Sequence, residues 1–434
     1  MNTRKFLAVT LLTLAFFPVL KWYWLRLGDG GGETFGLIAL ALALFFNRSQ
    51  PHAASPRLAE ISLLIYALSL FFLPPLLRSI PALGTIAFLS GMHRRAGQFG
   101  LLLLSLPVQA SLDFFLGYPF RLITAEGSRL LLNSLHSLRL MAHPVERLGV
   151  QLSQQGQLVS VDPPCSGLQM LWATALLSAL LSALFRLTYR RSIQLSIMAL
   201  ALCLLANILR ASFLFFPKSG LITIPGFLHQ GVGLIFFALA SLLLCNGARR
   251  LQTSIVPSPL PAPQNISHRL QILASGTLMI TLLPARMASP LPQAELVSLN
   301  SYQGRAVEET ALSPREKSFA ENFPGELKIY AVAHDTLIIR RITRASRLLH
   351  PSYHCLKAEG FLITHSRIEK DAQEHPVLRY QATRQGEAFQ VSESIRNLNG
   401  TRQWTDVSAW YWHALFHPQS GPWEAHTLMT PFSP

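Results

Sequence analysis

Cys165 stands in the run Val161-Asp-Pro-Pro-Cys-Ser-Gly-Leu-Gln169, immediately before a long apolar stretch. The amides at the start of a helix stabilise a thiolate and lower the thiol pKa, so a cysteine placed there is a candidate nucleophile. Asp162, Ser166 and Gly167 flank it as supporting residues. Two further groups could complete such a site: Arg210, in Asn207-Ile-Leu-Arg210, and His229, in Gly226-Phe-Leu-His-Gln230. A thiol that attacks a carbonyl, an imidazole that moves the proton and a guanidinium that meets the developing oxyanion together form an acyl-transfer apparatus. Each residue also has a plainer explanation. Arg210 could snorkel to lipid headgroups, His229 could be structural, and Cys203 and Cys245 read as small buried apolar residues.

The elements that must bring these groups together are membrane helices. Half of the 434 residues are apolar and 14% are charged, a composition that suits lipid as the main solvent. Apolar runs near the length of a span occur at Phe6 to Leu27, Ile61 to Leu77, Phe99 to Phe115, Gly167 to Leu187, Ile193 to Phe216 and Leu228 to Cys245, with shorter ones at Thr34 to Phe46, Ile80 to Gly91 and Leu270 to Leu283. These predict about nine transmembrane helices, the first an uncleaved one. The net charge of +15 is read as orientation in a membrane rather than as nucleic-acid binding. With the N-terminus inside, alternating spans put Arg48 and Arg57, Arg94 and Arg95, Arg186 with Arg190 and Arg191, and Arg249 with Arg250 in the cytoplasm. Lys21, Arg26 and the four arginines between Phe120 and Val150 fall outside this rule. The apolar residues of that segment, from Ile123 to Val145, recur near helical spacing and suggest a helix along the outer interface.

This topology places the candidate residues at one depth. The helix from Ile193 starts inside, so Arg210 lies roughly 26 Å along it at 1.5 Å per residue, near the outer edge. Asn207 sits one turn below on the same face. The following helix starts at the outer edge with His229, and the helix after Cys165 starts there as well.

From Ala288 onward the chain is more polar and reads as a small extracytoplasmic α+β domain, reached through a proline-rich linker at Val256 to Gln264 and the last short span. Leu327 to Ala333 and Thr336 to Ile342 alternate around His334 and Asp335 as a hairpin would, Tyr380 to Ile395 reads as a second strand pair, and Asp406 to Phe416 as a short aromatic helix. Within that helix Trp410-Tyr-Trp-His413 reads as core, with binding of a substrate segment as the other option. Gly28-Asp-Gly-Gly-Gly32 reads as a turn.

Cys165-Ser-Gly, Asn207-Ile-Leu-Arg210 and Phe227-Leu-His229, in this order, resemble the signature of exosortases and archaeosortases. The similarity covers roughly residues 60 to 250. Asp162-Pro-Pro-Cys165 and the extra domain are similar to a branch with a fused C-terminal extension, called exosortase T. Leu349-His-Pro-Ser-Tyr-His-Cys-Leu356 resembles the His-Pro and Cys-Leu element of an exosortase-associated periplasmic domain. The resemblance implies a multi-pass cysteine peptidase or transpeptidase of the bacterial inner membrane, with its C-terminal domain in the periplasm. Its substrates would be exported proteins whose C-terminal sorting signal carries a short motif, often Pro-Glu-Pro, then a membrane helix and a basic tail. Cys165 would attack the scissile carbonyl, His229 would serve as acid and base, Arg210 would stabilise the oxyanion and Asn207 would orient Arg210 or the substrate. Water would hydrolyse the thioester, whereas a glycan or lipid amine would make the reaction a transpeptidation. No metal or organic cofactor is required. Cys355 could pair with Cys165, act in substrate handling, or join His350 and His354 at a metal. Readings from other classes are an envelope transporter or glycan polymerase and ligase, and a noncatalytic membrane scaffold.

Overall fold

The computed structural model describes residues 3–27, 34–49, 53–155, 157–160, 167–218, 226–252, 268–282, 299–302, 304–371, 374–384 and 386–432. Asp162, Cys165, Ser166, the Gly28 to Gly32 turn and the Val256 to Gln264 linker therefore lie outside the described residues. The chain divides into two compact units, Met1–Asp113 with Gly167–Arg286, and Phe114–Ser166 with Met287–Pro434.

The helices in chain order are α1 (Thr3–Ala15), α2 (Phe17–Leu27), α3 (Phe35–Ser49), α4 (Pro56–Phe72), α5 (Pro75–Ser90), α6 (Ala96–Leu104), α7 (Gln109–Ser137), α8 (Leu168–Leu184), α9 (Tyr189–Lys218), α10 (Gly226–Leu251) and α11 (His268–Leu282). Apart from most of α7, they build the first unit. Phe6 to Leu27, expected as one helix, is two helical pieces bent by 62°. Pro18 has no N–H to give to Leu14, and its ring crowds that carbonyl. Val19 N turns to Phe16 O, and the Ala15 carbonyl is met instead by the hydroxyl of Tyr66 at 3.0 Å. Phe16 lies edge-on against that Tyr66 ring, and Leu12, Val19, Leu63, Leu270 and Ala274 complete the core around them.

Two other expected spans are also broken. Ile61 to Leu77 runs through Pro74 and Pro75, where the chain reverses. Ser62 Oγ donates to Pro81 O at 2.8 Å and Ser55 N to Phe88 O, so α4 and α5 form an antiparallel hairpin. Phe99 to Phe115 breaks between Leu104 and Gln109, around Pro107, so the nine-residue α6 is too short to cross a bilayer. Among the described residues two helical stretches, Tyr189–Pro217 and Gly231–Leu251, are long and apolar enough to cross a membrane, and the bent α1–α2 pair would make a third. The helices α3, α5 and α8 are apolar but shorter. Nine apolar runs therefore do not become nine full-length spans by helix length. The outward faces carry large apolar side chains, among them Leu64, Ile65, Phe72, Leu234, Ile235 and Leu242, as befits helices in lipid.

Small residues set the helix spacing inside this unit. A methyl group on Gly97 of α6 would fall 2.1 Å from the Ala183 amide nitrogen of α8, so the two backbones approach as close as glycine permits. Helices α8, α9 and α10 meet through Leu181, Leu195, Ala199, Leu244 and Ala248, and Ser178 and Ser196 bond across α8 and α9 at 3.2 Å.

The strands and remaining helices belong to the second unit: β1 (Glu146–Leu148), β2 (Gln151–Gln154), β3 (Gln157–Ser160), β4 (Ser301–Tyr302), β5 (Arg305–Ala306), β6 (Glu308–Thr310), α12 (Pro314–Asn322), β7 (Gly325–Val332), β8 (Asp335–Ile342), α13 (Ser352–Ala358), β9 (Leu362–Lys370), β10 (Pro376–Arg384), β11 (Glu387–Asn397), β12 (Gln403–Trp404), α14 (Val407–Phe416) and β13 (Trp423–Pro431). Its main sheet has the order β6-β7-β8-β13-β11-β10-β9, all antiparallel, with β12 beside β11. The hairpin at His334 and Asp335, the strand pair spanning Tyr380 to Ile395 and the helix capped by Asp406 all fall where the alternation and aromatic spacing predict.

Phe114–Ser166 joins this unit although its composition groups it with the membrane helices. Trp412 Nε1 donates to the Phe115 carbonyl at 2.7 Å, Tyr411 lies edge-on to Phe114 and Phe115, and Arg121 is ion-paired with Asp406. The helix expected through Val145 ends at Ser137, and a three-stranded meander, β1-β2-β3, follows. Asn133 secures the turn with both ends of its amide, donating to Val145 O at 3.0 Å and accepting from Val145 N at 2.8 Å. Three of the four arginines that break the charge rule have local partners: Arg121 with Asp406, and Arg129 and Arg147 with Glu126.

Candidate active site

Helix α9 carries Cys203, Asn207 and Arg210 at spacings of four and three, hence as one stripe. Opposite the lower part of the stripe is Gly167, the residue that opens α8. Its φ of +79° is left-handed backbone, which glycine adopts at least cost. A methyl group there would also sit 2.9 Å from Cγ and Nδ2 of Asn207. The Gly167 carbonyl accepts from Leu171 N at 2.8 Å, the first bond of α8, and from the Cys203 thiol at 3.7 Å. Thus Cys203, read from the sequence only as filler, joins Asn207 in holding the end of the Cys165-Ser-Gly segment to α9. Both side chains are buried.

The upper part of the stripe meets α10. Arg210 lies over Gly233, where a methyl group would be 3.0 Å from Nε and 3.1 Å from Cζ. Arg210 Nε is buried and, among the described residues, has no hydrogen-bond partner. A half-buried guanidinium with an unspent donor is an electrophile in reserve. His229 lies in the first turn of α10, one turn before Gly233, and its side chain is outside the described ones. The structure therefore brings together Gly167, Asn207, Arg210 and the start of α10. The positions of Cys165, Asp162, Ser166 and the His229 ring are not among those described.

Gly233 escaped the sequence reading. Its signal is a glycine placed four residues after a candidate histidine, opposite an arginine on the neighbouring helix. Gly233→Ala is expected to push the guanidinium by a few tenths of an ångström and to slow turnover about tenfold, given how steeply rate falls with misplacement. Gly231→Ala, which meets nothing within 4 Å, is expected to leave the rate unchanged in the same membrane-fraction assay.

In the second unit, Trp410 is fully buried edge-on to Trp423, a core position. Cys355 is exposed, and its sulfur lies 3.0 Å from His350 Nε2. Burial, with Arg340 and His354 nearby, pushes the His350 pKa down to about 4. Burial and Lys357 bring His354 to about 4 as well. Among the described residues no group of three or more His, Cys, Asp or Glu is arranged to hold a metal.

No curated protein and no solved structure matches the chain. The family model described as transmembrane exosortase matches residues 3–245, more than half of its length.

Proposed function

Because the chain belongs to the transmembrane exosortase family, we propose that it is a sorting cysteine peptidase and transpeptidase whose nucleophile is Cys165. The single observation that carries this assignment is the convergence of Gly167, Asn207, Arg210 and the first turns of α10. Two peptide links keep Cys165 within about 8 Å of Gly167, Cα to Cα. One helical turn separates His229 from Gly233, against which Arg210 rests. Thiol, imidazole and guanidinium thus have a common place to meet.

The thiolate of Cys165 attacks the scissile carbonyl, and the oxyanion that forms is met by Arg210 through the donor that has no partner among the described residues. His229 takes the thiol proton and delivers it to the leaving amine. The acyl group then rests on Cys165 as a thioester until water or an amine acceptor removes it. Asn207 positions the Gly167 end of the nucleophile segment rather than touching the carbonyl. The substrate is an exported protein with a C-terminal signal, Pro-Glu-Pro in type, followed by a membrane helix and a basic tail. That helix, stopped by its basic end in the cytoplasm, presents its cleavable motif at the outer face of the inner membrane. The acceptor is water or a glycan or lipid amine, and the second unit is periplasmic.

The test is expression of Cys165→Ala beside wild type, with the membrane fraction examined for uncleaved C-terminally anchored proteins. They are expected to accumulate in the variant, and peptide mass spectrometry of the wild-type enzyme is expected to find an acyl adduct on Cys165. Normal processing by Cys165→Ala would sink the assignment.

A further inference from the structure

In the second unit, His350 Nδ1 lies 2.9 Å from the carbonyl of Leu348 and its Nε2 lies 3.0 Å from Cys355 Sγ. A carbonyl can only accept, so Nδ1 carries the proton of the neutral ring and Nε2 presents a lone pair to the thiol. Thiol, base and orienting group thus stand in the order that activates a nucleophile.

The placement is anchored from beneath. The His350 carbonyl accepts from Arg340 Nη1 at 2.7 Å, and Arg340 Nη2 pairs with Glu393 at 2.9 Å. The Glu393 carboxylate in turn takes the amide of Ser352, at the start of the short helix α13 that bears Cys355. Arg340 and Glu393 are almost wholly buried, while Cys355 is open to solvent. A rigid polar base beneath an exposed thiol and its base is an arrangement that core packing does not require.

We propose that Cys355 and His350 form a second thiol-nucleophile site, which accepts an activated acyl group, carried as an ester of an alcohol, from a partner molecule. Sγ attacks the acyl carbon as its proton passes to His350 Nε2. The bond from carbon to the leaving oxygen breaks, and Nε2 returns the proton to that atom. The products are an acyl thioester on Cys355 and the free alcohol. An alkoxide leaving from an ester needs that returned proton, whereas thiol–disulfide exchange expels a thiolate that needs none. The geometry supplies a proton carrier, and so favours acyl substitution over disulfide exchange.

The site is independent of the role of Cys165, so the test uses the full-length Cys165→Ala protein in detergent. 2,2,2-Trifluoroethyl acetate, whose leaving alkoxide is basic enough to need a proton, is the acyl probe, oxidised glutathione the disulfide probe, and peptide mass spectrometry locates each adduct. Acetylation of Cys355 is expected to fall at least about 100-fold in His350→Gln, glutathionylation, which uses the imidazole as base but needs no returned proton, is expected to fall much less, and His354→Gln is expected to retain both. Buried Cys203 labels only when the chain unfolds, so its labelling detects a misfolded variant, and His350→Asn then replaces it in the comparison. Equal acetylation with and without the imidazole would overturn the proposal. So would an equal fall in both reactions, which would mark a thiol of general reactivity.

Discussion

Membranes carrying Arg210→Gln are expected to process substrate about 100- to 1,000-fold more slowly than wild type, the range lost with one oxyanion donor. The variant is nevertheless expected to melt at the same or a higher temperature. Arg210 Nε is buried without a partner among the described residues, and removing an unsatisfied buried donor costs no stability. Activity and stability should therefore move in opposite directions, as at sites where a strained group is kept for its chemistry. Arg210→Lys is expected to fall between the two, because it keeps the charge but loses the planar fork. Rates from cleavage of a reporter fused to a C-terminal signal, with melting curves of the same preparations, decide the matter. Full activity in Arg210→Gln, or loss of activity that merely follows unfolding, would remove Arg210 from the proposed chemistry.

The second large effect lies in the other unit. Arg340→Met is expected to cost about 3–5 kcal/mol, the penalty for leaving one partner of a buried pair alone. Glu393 would keep its charge with, among the described residues, only the Ser352 amide for company, in a site 4% exposed. For a unit of this size that is a melting shift of roughly 6–20 °C. Arg340→Met combined with Glu393→Leu is expected to recover most of the loss, since an apolar pair of similar volume needs no charge balance. Calorimetry of the full chain distinguishes the outcomes. A double variant as unstable as the single one would show that the pair matters for its shape rather than its charge.

What the sequence disclosed depended on how each signal is carried. The hairpin at His334 and Asp335 and the helix following Asp406 were legible because strand alternation and capping are local properties. The long helices α9 and α10 were legible because a long, predominantly apolar run has few other uses. Pro74, Pro107 and Pro18 were read through, since an apolar count does not register a missing N–H, and two expected spans became turns while a third became a bend. The affiliation of Phe114–Ser166 was hidden for a different reason. It rests on Arg121 with Asp406 and on Trp412 with Phe115, contacts between residues nearly 300 positions apart that leave no periodic trace. At the candidate site, Asn207 and Arg210 could be singled out because polar groups in an apolar helix are conspicuous. Gly233 and Cys203 could not, because what matters there is an absent methyl group and a thiol turned toward a backbone carbonyl.

Strand β13 separates two halves of the main sheet that are otherwise contiguous in the chain, β6-β7-β8 on one side and β11-β10-β9 on the other. Neither half has its inner edge covered until Trp423 to Pro431 has left the ribosome. During synthesis the protein thus holds two nascent meanders with open backbone edges, which invite pairing with strangers. A holding chaperone would find its target there, and a frameshift or cut before Trp423 would leave two sticky meanders on one chain in place of one fold.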